Sequence, residues 1–305
     1  SSPTSSKASS TPGSVRGLPM ASMTEFHVPA DRGPLTGRRA LLAMVVSGAA
    51  VLALVCAAGL MLADDAVVTD FAAKNIAPSI THPFGTDWMG RDMLSRTIAG
   101  LSASIAVGFI SAAVSSVVAL ALACAAALGG RRADAVVTWL IDLVMGVPHL
   151  VLLILISYAL GRGAVGVMVG VACTHWTSLA RLLRAEIMQV KQRAYVACAR
   201  RLGVSAPRAA WRHILPAVLP QYLVGLVLLF PHAILHEASI TFLGFGLSPE
   251  SPAIGVILSE AMGHLSGGDW WLAVFPGAAL LLVVLLFDRV GTGLKRLVTR
   301  EGVQA

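Results

Sequence analysis

"LPQYLVGLVLLFPHAILHEASITFLGFG", residues 219–246, is apolar enough to cross a bilayer, yet carries His232, His236 and Glu237 close together. A helical span needs about 20 mostly apolar residues, and this run supplies them. Ionisable groups in hydrocarbon are costly and normally face a bundle interior or an aqueous path. The stretch therefore predicts a helix packed among others, with one side turned away from lipid.

Five further runs of this kind lie outward from it, at residues 40–63, 101–128, 135–160, 164–183 and 271–290, which makes 219–245 the fifth of six spans. The chain is 56% hydrophobic and only 13% charged, against about 25% charged in a soluble domain. Lipid cannot satisfy backbone polar groups, so spans of this length are helical. The expected fold class is an all-α membrane protein with six transmembrane helices. The fourth run is the most diluted. Its "CTHWTSLARLL", residues 173–183, places Thr174, His175, Thr177 and Ser178 in an otherwise apolar helix, which should face protein or a water-filled path.

The net charge of +7 excludes a nucleic-acid binder as the natural reading, because the basic residues sit in short stretches between apolar runs. One set of loops holds Arg38, Arg39, Arg131, Arg132, the cluster from Arg181 to Arg212, and Lys295, Arg296 and Arg300. The other holds Asp64, Asp65, Asp70, Asp87, Asp92, Glu250, Glu260 and Asp269, with only Lys74, Arg91, Arg96 and Arg162 against them. The first set should be cytoplasmic, which puts both termini inside and residues 64–100 outside. Cys56, Cys124, Cys173 and Cys198 form no CxxC pair and read as small packing residues. Residues 1–37, rich in Ser, Pro and Gly, are expected to be a disordered tail, 38–300 one membrane domain, and 301–305 a C-terminal tail. The first apolar run exceeds a cleavable signal core and should remain as a span.

The longest inside loop is 184–218, and it includes the stretch "VKQRAYVACARRLGVSAPRAAWRHILPAV", residues 190–218. It predicts a helix over 190–202, a left-handed stop at Gly203, an N-cap at Ser205 with Pro207 just beyond, and a second helix running to Pro216. Small and apolar on one side and basic on the other, such a helix suits docking into a groove on a soluble partner or lying on anionic lipid.

This stretch resembles the coupling loop of ATP-binding-cassette importer permeases, in which Glu-Ala-Ala, three residues, Gly and a spacer precede Ile-Leu-Pro. The matching positions are Ala197, Cys198, Ala199, Gly203, Ile214, Leu215 and Pro216, with Ala197 standing where the family has Glu. "HPFGTDWMGRDMLSRTIAGLSASIAVG", residues 82–108, resembles the segment before the second span in the C-type permease of dipeptide, oligopeptide and nickel importers, through Gly85, Thr86, Asp87, Gly90, Arg91, Asp92, Ser95 and Arg96. "TFLGFG", residues 241–246, matches a third motif at the outer end of the fifth span.

The resemblance implies a type I importer permease in the plasma membrane of a bacterium or archaeon. It further implies a homologous second permease, two ATPases that bind ATP and Mg, and an extracytoplasmic substrate-binding protein. The chain has no Walker phosphate loop, so it should bind no nucleotide or other cofactor itself. By the same resemblance the outer motif orients the outer loop and docks the binding protein. Its Asp87, Arg91, Asp92 and Arg96 could pair on a short exposed helix, each pair contributing under about 1 kcal/mol. Gly203, Pro216, Pro220 and Pro231 are hinge candidates.

An enzyme is not expected. A His-Glu-x-x-His site starting at His236 would need His at position 240, which is Ile. His232 and His236 share one helix face, while Glu237 lies about 100° round from His236; His149, His175 and Asp142 are candidates to join them. The residues leave three roles open: hydrogen bonds between helices, binding of a peptide terminus, and ligation of a metal with His232 and His236 as the pair. Likeness of "LFPHAILHEASITFLGFG" to nickel-associated members tilts the expected cargo toward nickel or a metal chelate, with a peptide importer as the alternative.

Overall fold

The computed structural model describes residues 37–302; residues 1–36 of the expected N-terminal tail and 303–305 of the expected C-terminal tail lie outside that range. The elements in chain order are α1 (Arg38–Met61), α2 (Met93–Leu128), α3 (Arg131–Met145), α4 (His149–Ala159), α5 (Gly163–Lys191), α6 (Ala194–Arg201), α7 (Ala206–Ala209), α8 (Leu215–Phe242), α9 (Ile254–Met262) and α10 (Trp271–Gly302). Among the described residues there is no strand, only an isolated bridge between Thr86 and Asp92. Among the described residues five helices are long and apolar enough to cross a membrane, and the pair α3–α4 makes a sixth span if counted together.

The third span is not the continuous helix that 135–160 predicts. It breaks between Met145 and His149, and the two halves meet at 91°. Pro148 explains the break: it has no N–H to continue α3, and it biases Val147 away from the helical region. Gly146 closes α3 by donating its N–H to the Asp142 carbonyl at 2.9 Å, and α4 starts at once beyond the proline.

The fourth span, the least apolar, is the most enclosed. α5 packs on α2, α4 and α8 and buries Val167, Val171, Leu179, Leu183 and Ile187. Its polar residues Thr174, His175 and Thr177 are buried too, as expected for a helix facing protein and cavity. α1, by contrast, packs chiefly against α2 and α10 along one side and leaves Val46, Leu54 and Leu60 exposed, the outer surface a lipid-facing helix presents.

Close helix approach depends on small residues, because in lipid association rests on packing rather than on hydrophobic burial. Gly108 of α2 is the clearest case: a Cβ there would stand 2.6 Å from Ile234 Cγ1 and 3.3 Å from the Ile234 backbone nitrogen of α8. Gly108→Leu should therefore cost about 1–3 kcal/mol by overpacking. The check is the midpoint of thermal unfolding in detergent, which should fall for Gly108→Leu and stay put for the lipid-side Val114→Leu.

Candidate functional site

The break in the third span opens a cavity of about 630 Å³. Its walls are the Val144–His149 corner, Thr174, His175, Thr177 and Ser178 of α5, and Leu229, His232 and His236 of α8. Three imidazoles converge there from three helices. The ring centroids of His149 and His175 are 4.7 Å apart, those of His149 and His236 4.6 Å, and those of His175 and His236 4.9 Å, all edge to face.

Local helix geometry sets two of these rings. His236 Nδ1 donates to the His232 carbonyl one turn earlier at 2.7 Å. His175 Nδ1 donates to the Val171 carbonyl at 3.1 Å and also lies 3.1 Å from Thr174 Oγ1. His149 is the first residue of α4 and reaches the cluster because Pro148 turns the chain.

His175 and His236 are thus brought together, as their spans suggested, and His149 completes the group. His232 lines the cavity without belonging to the cluster of three. Glu237 does not line this cavity. It is fully buried beside Ser104 of α2, with Oε1 accepting from Thr241 Oγ1 at 2.9 Å. The 100° offset from His236 is the reason, since no distortion at Pro231 brings it round. Asp142 also stays apart, pairing with Arg181 at 3.1 Å where both side chains are more than half exposed.

At the end of the bundle that carries residues 62–92, the outer motif is not a set of exposed pairs on a helix. Residues 86–92 form a tight loop, and Asp87 at its centre is fully buried. Asp87 Oδ1 accepts from the backbone N–H of Met89 and Arg91 at 2.8 and 2.9 Å; Oδ2 accepts from Arg91 Nε at 2.6 Å and Arg96 Nη1 at 2.7 Å. Arg96 is only 2% exposed and reaches on to Glu260 of α9 at 3.0 Å. Sequence reasoning missed Glu260, which lies 164 residues from Arg96.

The other motif residues serve this clasp. Thr86 accepts the Ile76 N–H on its hydroxyl and the Trp271 indole N–H, at 3.2 Å, on its carbonyl. Asp92 caps α2 by accepting the Ser95 N–H at 2.9 Å. Gly90, at φ +75°, lies against the Asp70 carbonyl where a Cβ has no room.

The loop at the opposite end folds as helix, turn and helix, with one adjustment. The predicted helix over 190–202 is split, α5 running to Lys191 and α6 starting at Ala194 after Gln192 and Arg193. Gly203, at φ +89°, ends α6 in a Schellman motif: Val204 N–H bonds the Ala199 carbonyl at 3.1 Å and Gly203 N–H the Arg200 carbonyl at 3.2 Å. Ser205 adopts N-cap backbone angles without a side-chain cap bond. A π-helical turn, Ala210–Ile214, then joins α7 to α8 into a 37-residue rod, Ala206–Phe242.

Ala197, Cys198, Gly203 and Pro216 are exposed, Ala199 and Leu215 are half-buried, and Ile214 is buried. Leu202 and Trp211, 85% and 77% exposed, are the large apolar side chains of this surface, and the sequence reading had passed over both. The third motif repeats the Schellman device. Gly244, at φ +82°, ends α8, and Gly246 O accepts the Gly163 N–H at 2.8 Å, tying the mouth of α8 to the α4–α5 turn.

A bundle with a broken span, a histidine-lined cavity at the break and an exposed helix–turn–helix at one end is the type I permease fold of ATP-binding-cassette transporters. The chain belongs to the family described as binding-protein-dependent transport system inner membrane component, whose model matches residues 115–300. It is 34% identical over 227 residues to a putative peptide permease protein of Brucella suis, covering 74% of this chain and 75% of that one. It is 33% identical to the probable D,D-dipeptide transport system permease protein of Escherichia coli over 75% of this chain and 76% of the other. With the dipeptide transport system permease protein of Bacillus subtilis it shares 30% identity over 73% and 69%. A crystal structure of an amino acid ABC transporter with histidines superposes with a TM-score of 0.54 at 18% identity, covering 65% of this chain and 92% of that one; that likeness is one of fold.

Removing one partner of a buried charge network leaves the others uncompensated, at about 3–5 kcal/mol. Asp87→Asn should accordingly lower the unfolding midpoint well below that of Glu260→Gln, whose carboxylate is 22% exposed. Equal midpoints for the two variants would contradict a clasp centred on Asp87.

Proposed function

We propose that this chain is a permease subunit of an importer that passes dipeptides or other short peptides through the plasma membrane. The observation that carries this reading is the agreement of relatives from three genera, all described as peptide or dipeptide permeases, at 30–34% identity over about three-quarters of the chain. It displaces the expected lean toward nickel, which none of these relatives supports. The cavity at the α3–α4 break suits a path: it is polar on its histidine side, lies between helices, and is lined by backbone that has left its helix, which is tolerated at membrane depth only beside protein or water.

In this reading the chain works with a homologous second permease, with two ATPases that hold ATP and Mg, and with a substrate-binding protein outside. The nucleotide is held by those ATPases, since this chain has no phosphate loop for it. The end carrying residues 190–214 faces the cytoplasm, as does each terminus. α6 and its turn sit in a groove of an ATPase, with Ala197, Cys198 and Leu202 on the surface that meets it. The clasp around Asp87, Arg91 and Arg96, with Gly85, Thr86 and Gly90 buried beside it and Asp92 half-buried, sets the shape of the outer plate that docks the binding protein.

The direct test is uptake of labelled dipeptide and labelled nickel by cells expressing the assembled importer. Dipeptide should accumulate only with ATP, and nickel should not; nickel uptake without dipeptide uptake would overturn the assignment. Gly203→Val provides the coupling test. A Cβ at position 203 meets nothing within 4 Å, so the penalty falls on the left-handed backbone, at about 1–2 kcal/mol. Substrate-stimulated ATP hydrolysis should be lost while the protein still inserts; normal stimulation would remove this turn from the coupling route.

A further inference from the structure

The histidine cluster has a chemistry of its own, whatever solute the importer carries. Each Nδ1–H of His175 and His236 is spent on a backbone carbonyl of its own helix, at 3.1 and 2.7 Å. That fixes the tautomer, so the lone pair of each ring is on Nε2. Nε2 of His175 is buried without a hydrogen-bond partner, although the ring is only 7% exposed. An unsatisfied buried acceptor is costly, and neither neighbouring imidazole, His149 or His236, donates to it. One ligand atom from each of His149, His175 and His236 lies within 4.8 Å of the others.

We infer that His149, His175 and His236 form a binding site for a late first-row divalent cation of the nickel, copper and zinc class. Three neutral imidazole nitrogens suit those ions, and a carbonyl bond on the far ring nitrogen is the usual support of a metal-bound histidine. Tetrahedral ligation with bonds of about 2.0–2.1 Å puts ligand atoms roughly 3.4 Å apart. Closing from within 4.8 Å to that separation is a change that side-chain torsions supply. The three ligands come from α4, α5 and α8, so a bound ion ties these helices together at the cavity wall. Its fourth position faces the cavity, where an amine or carboxylate of a passing solute can reach it. His232, on the wall but outside the trio, is not a ligand.

The test uses the assembled importer purified in detergent without a polyhistidine tag. One equivalent of Cu(II) is added and the electron paramagnetic resonance spectrum recorded, and Zn(II) affinity is measured by titration calorimetry. Wild type should show coupling to several imidazole nitrogens. Loss of outer-shell partners alone costs about 10–100-fold in metal affinity, so His149→Gln/His175→Gln/His236→Gln should lose more than about 100-fold and its nitrogen coupling, whereas His232→Gln should stay within about twofold of wild type. A wild-type spectrum without nitrogen coupling overturns the proposal, whether or not the triple variant folds, as does a folded triple variant with unchanged Zn(II) affinity. Either result leaves the dipeptide uptake experiment standing, because the two readouts are independent.

Discussion

In hydrocarbon every backbone N–H and C=O must be paired within the protein, and the architecture turns on the one span that departs from an unbroken helix. At Gly146, Val147 and Pro148 the chain leaves α3 and re-enters α4 at 91°. The first turn of any helix has N–H groups with no acceptor inside it, and here that turn begins at His149. Such groups are acceptable at membrane depth only where they meet protein or a cavity. The break and the cavity it lines therefore require each other. The proline that makes the break also delivers His149 to the cluster, so one backbone constraint produces both the path-like space and its most unusual chemistry.

What the sequence made legible follows the range of the interactions involved. Spans show in local hydropathy, and five of the six runs correspond to continuous helices. The turn at Gly203 was readable because left-handed backbone favours glycine whatever surrounds it. The 91° break was missed because the apolar run on either side of Pro148 overrode its signal, and hydropathy averages over the direction of the chain. Glu260 and the trio of histidines depend on contacts between distant segments, such as α2 with α9 and α4 with α8, and no spacing along the chain encodes them. Charge alone also misled about Asp87 and Arg96. Charged residues between spans look solvated until packing encloses them, and a carboxylate with four donors, two of them guanidinium groups, can be buried without remaining unpaired.

The two ends of the bundle are built on opposite physical terms. At the Asp87 end, ion pairs, a helix cap and the Trp271 bond bind residues 70–92 to α2, α9 and α10, which gives a rigid plate. At the other end the α6–α7 turn is held by backbone hydrogen bonds and one bond from Arg200 Nη1 to the Val204 carbonyl, and it presents Leu202 and Trp211 to the surroundings. A plate with a preformed clasp suits a surface that receives a rigid soluble protein. An exposed apolar turn suits one that is completed only when a partner covers it.

α8 connects these regions, and its composition bears on how a push at one end is felt at the other. With α7 it forms a rod of 37 residues, Ala206–Phe242, about 55 Å long at 1.5 Å per residue. Pro216, Pro220 and Pro231 each withhold an N–H from the carbonyl four residues earlier, so the rod has three places where its ladder is already interrupted. The last lies one residue before His232, and His236 and the Gly244 turn follow within the next turns. A displacement of the α6–α7 turn in the proposed assembly would thus be carried by a stiff element and released at Pro231, beside the cavity and below the mouth tied to Gly163. The histidine of α8 is placed where bending of that helix would change its distance to the histidines of α4 and α5.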